Sequence, residues 1–467
     1  MNLLSIFEQK RELFQKNPYP LITTRRDNLQ QLKRLLQEHA YDLARVISDD
    51  FSHRAQEETL FLEVAPAIKA IEYCMANLRK WSKSRKRHIP WYLTPSKASL
   101  IAQPLGVVGI IAPWNYPIYL SIVPLVYALA AGNPVMVKMS ELTPATGLLL
   151  EKLINQNPAL KAVITIINSD VDLAKEFSAL PFGHLLFTGS SGIGKQVMAA
   201  ASRNLTPVTL ELGGKSPALV SSSVETVYLD RLFMGKLFNG GQTCVAPDYL
   251  LLPKGMENQL ENLFGKFLEK HYSNLMNNDN YTSIISTHHK ERLQGLLAEA
   301  KSRGARVVEY GQDQENSRKM PVYLLFDVKP DMAIMNEEIF GPLLPVSSYE
   351  TFQDALNVIL EKPNPLALYY FGKDAGEIRL LQRNTLSGAL VINDTIMHLA
   401  ADDLPFGGVG HSGMGHYHGQ EGFDTFSKLK PIFIQRRFAP VTWLYPPYGR
   451  LLNLFLRYIA GIRSGKQ

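Results

Sequence analysis

The sequence is poor in cysteine and begins without a long apolar run. Only two of its 467 residues are cysteines, Cys74 and Cys244, and two cysteines cannot form a disulfide framework. Residues 1–8 contain no basic segment followed by a long apolar core, which a secretory leader would need. These absences predict a cytoplasmic protein that folds in a reducing compartment.

The sequence also lacks a large excess of positive or negative residues. Lys and Arg number 49 against 43 Asp and Glu, so the net charge of +6 is modest for this length. The basic residues are scattered, apart from residues 83–88 and the C-terminal end, and no nucleic-acid partner is expected. The hydrophobic fraction of 46% and the lack of repeats or low-complexity tracts predict two or three globular domains with ample core.

Residues 105–210 alternate between short apolar runs and amphipathic stretches, which is typical of parallel strands joined by crossover helices. The predicted strands cover residues 107–112, 134–138, 162–167, 184–187 and 208–210. The helices between them cover residues 119–131, 144–155, 171–178 and 192–203. This pattern indicates a doubly wound nucleotide-binding domain. Ligands bind such sheets beyond the carboxyl ends of the strands, so the loops that follow the strands are expected to converge.

Cys244 follows a small, flexible segment that suits a nucleophile. Gly240 and Gly241 let the main chain approach a ligand closely, and the Cys244 N–H is then free to donate to an oxygen held over its own sulfur. A thiolate is also the most nucleophilic side chain near neutral pH. The alternative is that Cys244 is a small buried hydrophobe, which is what we expect for Cys74 in its apolar helical segment.

A glycine-rich turn follows the fourth predicted strand and opens a helix, where free N–H groups and the helix dipole suit a pyrophosphate. The turn departs from the usual dinucleotide fingerprint because a serine stands where the second glycine is expected. The alternative is a plain helix entry. Its residues are Gly189, Ser190, Ser191, Gly192, Ile193 and Gly194.

The ribose of a dinucleotide has two sets of candidate contacts. The fingerprint spacing would place the contact near Glu211, but the glycine pair that follows Glu211 favours an active-site turn. Lys138 and Glu141 offer a cation and a carboxylate three residues apart and are the better candidates. The alternative for Glu211 is a solvated turn carboxylate.

Asn115 lies between two prolines at the end of the first predicted strand, in the sequence PWNYP (113–117). A rigid amide donor in this place suits an oxyanion. The alternative is a turn residue that bonds to its own backbone.

Taken in order along the chain, these motifs resemble the aldehyde dehydrogenase superfamily. LELGGKSP (210–217) is similar to the family's general-base signature and FNGGQTCVAPD (238–248) to its nucleophile signature. NEEIFGP (336–342) resembles the motif that holds the nicotinamide ribose. PFGGVGHSGMGHYHG (405–419) resembles the class 3 branch, and YPPYG (445–449) is similar to a segment of the bacterial coniferyl aldehyde dehydrogenases in that branch.

The resemblance implies a role for each site residue. Cys244 would be the nucleophile, Glu211 the general base, and Asn115 an oxyanion donor beside the Cys244 N–H. The cofactor would be NAD, with NADP as the alternative. Its implied contacts are Lys138, Glu141, Gly189, Ser190, Ser191, Gly192, Ile193, Gly194, Glu338 and Phe340.

The implied activity is oxidation of an aldehyde to the carboxylic acid through a cysteine thiohemiacetal and a thioester. Aromatic, cinnamyl-type (such as coniferyl) and medium- or long-chain aliphatic aldehydes all remain open as substrates. One alternative is an acylating, coenzyme A-dependent enzyme. Another is a catalytically silent or membrane-associated structural protein that retains the fold.

The implied architecture is α/β, with a Rossmann-type parallel-sheet cofactor domain formed by residues 1–88 and 104–209. Residues 210–395 would form the catalytic domain. Residues 89–103 and 396–440 would bridge to a second copy in a homodimer, and residues 441–467 would be a tail.

The tail carries an amphipathic stripe that is too short to span a bilayer. It would pack on its own subunit or dimer mate, or lie at a membrane surface. His411, His416 and His418 are not expected to bind metal, because their glycine-rich setting matches a family loop that binds none.

Overall fold

The computed structural model describes residues 2–168, 171–315 and 317–462. Met1, Ser169, Asp170, Asn316 and residues 463–467 fall within the predicted domain ranges but lie outside this description. The strands are β1 (Arg85–Arg87), β2 (Lys97–Pro104), β3 (Val108–Ile111), β4 (Val135–Lys138), β5 (Ile164–Ile167), β6 (His184–Gly189), β7 (Val208–Leu212), β8 (Pro217–Val220), β9 (Tyr249–Pro253), β10 (Arg306–Tyr310), β11 (Val322–Phe326), β12 (Leu343–Tyr349), β13 (Ala367–Phe371), β14 (Ala389–Ile392), β15 (Gly413–Met414) and β16 (Ser427–Ile434).

The helices surround three sheets. They are α1 (Leu3–Lys16), α2 (Ile22–Glu38), α3 (Ala40–Asp50), α4 (Gln56–Thr59), α5 (Ala65–Trp81), α6 (Tyr119–Ala131), α7 (Pro144–Gln156), α8 (Pro158–Val163), α9 (Val171–Ser178), α10 (Ser191–Ser202), α11 (Thr226–Leu237), α12 (Glu257–His271), α13 (Thr287–Ser302), α14 (Ala333–Asn336), α15 (Phe352–Leu360), α16 (Ala375–Asn384), α17 (Gly419–Thr425) and α18 (Arg450–Ala460).

Two large sheets give the chain its α/β architecture. The first has the order β15-β7-β6-β3-β4-β5 and is parallel except for β15. The second has the order β10-β11-β12-β9-β8-β13-β14 and is parallel except for β10. All residues of β3 and β4 are buried, as expected of parallel strands covered by helices on both faces.

The five strands predicted between residues 105 and 210 all form, and they make up the parallel part of the first sheet. Each strand differs from its predicted range by one or two residues at one or both ends, and the difference at residues 162–163 has a clear cause. Ala162 and Val163 belong to α8 because Asn157 caps that helix, accepting from the N–H groups of Ala159 and Leu160, and Pro158 occupies its first position.

Helix α6 links β3 to β4, and every residue along it is buried. It ends at Gly132, whose φ of 99° is the left-handed conformation that glycine adopts after a helix. A Cβ there would meet the Arg25 guanidinium at 2.9 Å. Arg25 is itself buried and donates to the Ala131 carbonyl at 2.9 Å, so it supplies a hydrogen bond to a buried carbonyl in the last turn of the helix.

A third, three-stranded sheet projects from these layers in the order β1-β2-β16. β16 pairs antiparallel with β2 along its whole length, from Ser427 opposite Pro104 to Ile434 opposite Lys97. The sheet also includes Arg85–Arg87, which precede the expected boundary at residue 89.

The tail forms α18, which packs on the turn before β2. The ring of Phe455 lies 5.4 Å from that of Tyr92, and the ring of Tyr458 lies 5.8 Å from that of Trp91. Leu451 and Leu454 on the same helix are each 62% exposed. The tail helix therefore covers part of its own subunit and leaves an apolar face uncovered. Among the described residues, no helix is both long enough and apolar enough to cross a bilayer.

Candidate active site

The carboxyl ends of four neighbouring strands carry the predicted motifs to one edge of the first sheet. In the register of that sheet, Ile111 lies opposite both Lys138 and Phe187, and Gly189 lies opposite Leu212. The loops after β3, β4, β6 and β7 therefore begin at the same level, as the rule for doubly wound sheets predicts.

The nucleophile loop follows α11 and turns through three consecutive left-handed residues. Asn239, Gly240 and Gly241 have φ of 54°, 61° and 78°. A Cβ on Gly241 would meet the Gly341 carbonyl oxygen at 2.4 Å, so only glycine fits there. This turn aims Cys244 back toward the sheet edge, where its side chain is half-buried.

Cys244 lines an apolar cavity of about 140 Å³. The walls come from four segments of the chain, near residues 61–66, 116–120, 243–244 and 396–406. The Tyr116 hydroxyl shares a hydrogen bond of 2.8 Å with Thr243 beside the sulfur. The other lining residues are Phe61, Leu62, Pro66, Tyr119, Leu120, Ile396, Met397, Leu399, Ala400 and Phe406.

Burial, together with the nearby carboxyl groups of Glu338 and Glu211, raises the pKa of the Cys244 thiol to about 12. N–H groups at residues 244 and 245 oppose the shift but do not overcome it. The sulfur is therefore a protonated thiol at neutral pH in this state and needs a base before it can react.

Glu211 lies within β7 and is only 3% exposed. Neither carboxyl oxygen has a hydrogen-bond partner among the described residues, and burial raises its pKa well above the usual range. The alternative interpretation, that Glu211 is a solvated turn carboxylate, is therefore wrong. A buried, unpartnered carboxyl group beside a thiol is the arrangement of a proton acceptor that waits for its substrate.

Asn115 is also buried, at 3% exposure. Its side-chain amide donates to the Gln242 carbonyl at 3.1 Å, across to the nucleophile loop. An amide nitrogen carries two N–H groups, so one remains for a ligand. The side chain thus bonds to another loop and not to its own backbone, which was the alternative.

Lys138 and Glu141 lie together at the end of β4. The Lys138 ammonium is buried and donates to the Glu141 carboxylate at 2.9 Å. Glu141 is 42% exposed. The pair forms a cation and a carboxylate at the carboxyl edge of the first sheet.

The glycine-rich turn runs from the end of β6 into α10. The Ser190 side chain caps the helix by accepting from the Ile193 N–H, and the Ser191 hydroxyl donates to the His411 carbonyl at 3.1 Å. A Cβ added to Gly192 would meet nothing within 4 Å, so the space over this helix start is open.

Glu338 and Phe340 come from the second sheet's side of the crevice. The Glu338 carboxylate accepts from the Gly214 N–H at 3.1 Å. Burial raises its pKa to about 8, and Asp248 adds to this shift. Phe340, at a φ of 53°, packs its ring 5.4 Å from that of Trp114 in the Asn115 loop.

A cleft of about 970 Å³ opens beside these residues, with Ser191, Gly214 and Glu338 among its lining. The capped helix start, the open space over Gly192 and the Lys138–Glu141 pair fit the pyrophosphate and ribose of a dinucleotide. His418 lies away from the cleft, stacked on Tyr127 with ring centroids 6.0 Å apart. The described residues contain no cluster of three metal-ligating side chains.

The model of the aldehyde dehydrogenase family matches residues 8–432. The chain belongs to the aldehyde dehydrogenase family. A probable coniferyl aldehyde dehydrogenase from Pseudomonas aeruginosa is 47% identical over 97% of the chain and 94% of its own length. Aldehyde dehydrogenase family 3 member A2 from Pongo abelii is 38% identical over 91% of the chain and 87% of its own length.

Among solved structures, the substrate-bound state of Staphylococcus aureus AldH has a TM-score of 0.93 at 36% identity. It covers 98% of this chain and 100% of its own. The predicted class 3 resemblance and the α/β aldehyde dehydrogenase fold are confirmed. The protein is an enzyme that oxidises an aldehyde, and the family uses NAD(P). The silent-protein and acylating alternatives are not favoured.

The sequence did not predict the buried residues that lie beneath the Asn115 loop of this aldehyde dehydrogenase, nor the aromatic walls of its cavity. Arg54 and Glu63 are buried under the Asn115 loop and bond to each other at 2.8 Å. Their separation in sequence matches neither a helical nor a strand period, so no local pattern pairs them. The aromatic cavity walls were missed for the same reason, although Phe61 and Leu62 stand beside Glu63 in the chain.

The first prediction concerns the protonation of Cys244. Because the pKa of its thiol is raised to about 12, the iodoacetamide alkylation rate in the cofactor-free enzyme should rise about tenfold per pH unit between pH 7 and 9. Mass spectrometry of the modified peptide measures this rate. Cys244→Ala is the control, because Cys74 is fully buried. A rate that levels off below pH 8 contradicts the assignment.

Proposed function

We propose that Cys244 carries the aldehyde as a covalent adduct at the inner end of the apolar cavity. The observation that supports this is the position of Cys244. It lines the cavity on one side, and its pKa responds to the carboxyl groups of Glu211 and Glu338 on the other. A thiol that lines an apolar cavity and lies near buried carboxyl groups suits nucleophilic attack on an aldehyde.

The first step joins the Cys244 sulfur to the aldehyde carbon, and the thiol proton leaves to a base. The carbonyl oxygen becomes the oxyanion of a thiohemiacetal. The free N–H of the Asn115 side chain and the Cys244 backbone N–H are the proposed donors to this oxygen. We assign this proton to solvent, and Glu211, whose carboxyl oxygens have no hydrogen-bond partner among the described residues, to the later hydrolysis of the thioester.

NAD(P), when bound, supplies the hydride acceptor. Glu338 and Phe340 are proposed to orient its nicotinamide ribose, and the turn over Gly192 to hold its phosphates. Once the cysteine adduct is a thioester, Glu211 takes a proton from the water that opens it. Glu211 becomes a base when water reaches it, because solvation returns its raised pKa toward the usual range.

The second prediction separates the two half-reactions. Glu211→Gln should release a burst of up to one reduced cofactor per active site, followed by slow turnover, because a base needed only for hydrolysis is dispensable for the first turnover. Stopped-flow absorbance of the reduced cofactor measures the burst. Cys244→Ala should give no burst, and Cys74→Ala should behave as the wild type. Absence of a burst in Glu211→Gln would assign Glu211 to the activation of Cys244 instead.

We propose NAD as the preferred cofactor. Glu141 lies at the proposed ribose contact, bonded to Lys138, and its carboxylate would repel a 2′-phosphate. For the substrate we propose an aldehyde conjugated to an aromatic ring, of the coniferyl type. The aromatic rings of Phe61, Tyr116 and Phe406 line the cavity, and a relative is named for coniferyl aldehyde.

The third prediction is tested with a substrate panel and both cofactors. Coniferyl aldehyde should have a higher kcat/KM than hexanal or dodecanal, and NAD a higher kcat/KM than NADP. Glu141→Gln should raise kcat/KM for NADP relative to NAD. Apolar walls discriminate by only about 10- to 200-fold per methylene-sized difference. A preference for dodecanal would replace the aromatic assignment with a long-chain one.

We propose that the protein is a cytoplasmic homodimer. The outer edge of β16 is unpaired in the three-stranded sheet, and Phe433 and Ile434 at its end are about half exposed. An open strand edge flanked by apolar side chains suits a second copy. The uncovered face of α18, with Leu451 and Leu454, would be covered by the same partner. Two free cysteines suit a reducing compartment.

The fourth prediction tests the tail. The full chain should sediment as a dimer, remain in the soluble fraction of lysed cells and fail to bind anionic phospholipid vesicles. Leu451→Glu/Leu454→Glu should shift the dimer toward monomer, because it places charge in the proposed contact. Arg457→Glu, which leaves the apolar face intact, is the control. Flotation of the wild type with vesicles, lost in the leucine variant, would instead assign the helix to a membrane surface.

A further inference from the structure

A buried ion pair lies directly beneath the Asn115 loop. The Arg54 guanidinium donates to the Glu63 carboxylate at 2.8 Å, and both side chains have no exposed surface. Arg54 also stacks over the Tyr116 ring at 4.9 Å from its centroid. The pair therefore packs against the buried side of the Asn115 loop.

Each partner of this pair holds the backbone of the Asn115 loop. The second Glu63 oxygen accepts from the N–H groups of Ile118 and Tyr119, at 2.8 and 3.0 Å. Arg54 donates to the Asn115 carbonyl at 3.2 Å. The Glu63 carboxylate and the Arg54 guanidinium thus hold the backbone on both sides of Pro117.

The same loop is tied to the nucleophile loop. The Asn239 side chain donates to the Asn115 carbonyl at 2.9 Å and to the Gln242 carbonyl at 3.1 Å. The Asn239 N–H in turn donates to Glu58 at 2.5 Å. The distance between the Asn115 amide and Cys244 is thus set by hydrogen bonds that begin at buried charges.

A π-helical turn, Leu60–Val64, joins α4 to α5 and brings these charges under the site. It turns Glu63 inward while Phe61 and Leu62 line the aldehyde cavity. Single π turns within α-helices occur frequently at functional sites. This single turn therefore lines the proposed substrate cavity and also carries Glu63, which holds the Asn115 loop.

We propose that Arg54 and Glu63 are positioning residues that hold the Asn115 amide at the oxyanion position over Cys244. This inference rests on the proposed function, because it assigns to the pair the placement of a donor that the proposed mechanism uses. Neither residue touches the aldehyde or the cofactor in this arrangement.

The principal test variant is Glu63→Gln, which keeps the shape of the side chain but replaces one carboxylate oxygen with an amide NH2 group. In either orientation this NH2 faces hydrogen-bond donors, those of Arg54 or the N–H groups of Ile118 and Tyr119. Because a misplacement of about 1 Å can cost roughly 100-fold in rate, we expect the first-turnover rate of hydride formation to fall about 10- to 100-fold. The KM for aldehyde and the Kd for NAD should change less than threefold. Glu57→Gln, an exposed glutamate on α4, is the matched control.

A double-mutant cycle with Asn115→Ala distinguishes positioning from general weakening of the structure. Removal of one oxyanion donor is expected to cost about 100- to 1000-fold in rate. If Glu63 acts through Asn115, Glu63→Gln should lower the rate of the Asn115→Ala enzyme less than twofold further. If it lowers the rate by its full factor in that background, the positioning role is wrong.

The outcomes also separate this inference from the proposed function. If Asn115→Ala keeps the wild-type rate, the oxyanion role is wrong and the positioning role falls with it. If Asn115→Ala is slow and Glu63→Gln is not, only the positioning role is wrong. Should Glu63→Gln fail to fold, Arg54→Met/Glu63→Gln removes both charges and leaves no lone buried ion. A folded double variant with a wild-type rate would equally overturn the inference.

Discussion

Exclusion of water around Cys244 raises the pKa of the acidic groups at the site. Burial is the largest cause of the raised pKa of Cys244, Glu211 and Glu338. For Glu338 the cations Lys215 and Arg292 act in the opposite direction, yet burial and Asp248 prevail and the pKa reaches about 8. A negative charge is unfavourable throughout this region. The site therefore holds its acids protonated until substrate, cofactor or water changes their surroundings.

Hydrogen bonding distinguishes the structural groups from the reactive ones. The Gln242 amide donates to the Asn239 and Ser283 carbonyls and accepts from the Ile285 N–H, so its oxygen and nitrogen both have partners. Neither oxygen of Glu211 has one among the described residues. A buried polar group without a partner costs stability. Its presence beside Cys244 is explained if the partner is supplied by water or substrate during the reaction.

The sequence predicted the parts of the site that depend on regular structure. Parallel strands end at one edge, so the loops holding Asn115, Lys138 and Glu211 were expected together, and β3 to β7 place them so. The boundary at Ala162 was missed because the cap at Asn157 extends a helix into an apolar run. The Arg54–Glu63 pair was not predictable, because it depends on a π turn that has no sequence period and on tertiary contacts.

Two spaces of different chemistry open at the site, and Cys244 lines one of them. On one side the cavity is walled almost entirely by apolar side chains. On the other, the cleft beside Gly214 and Glu338 also carries charged and polar side chains, such as Lys215 and Glu338, and reaches Ser191 at the start of α10. Moving a charged dinucleotide into the apolar cavity would cost free energy, because its charges would lose their hydration. An apolar aldehyde would bury less apolar surface in the cleft than in the cavity. This difference supports the proposal that the dinucleotide and the aldehyde reach Cys244 from different sides.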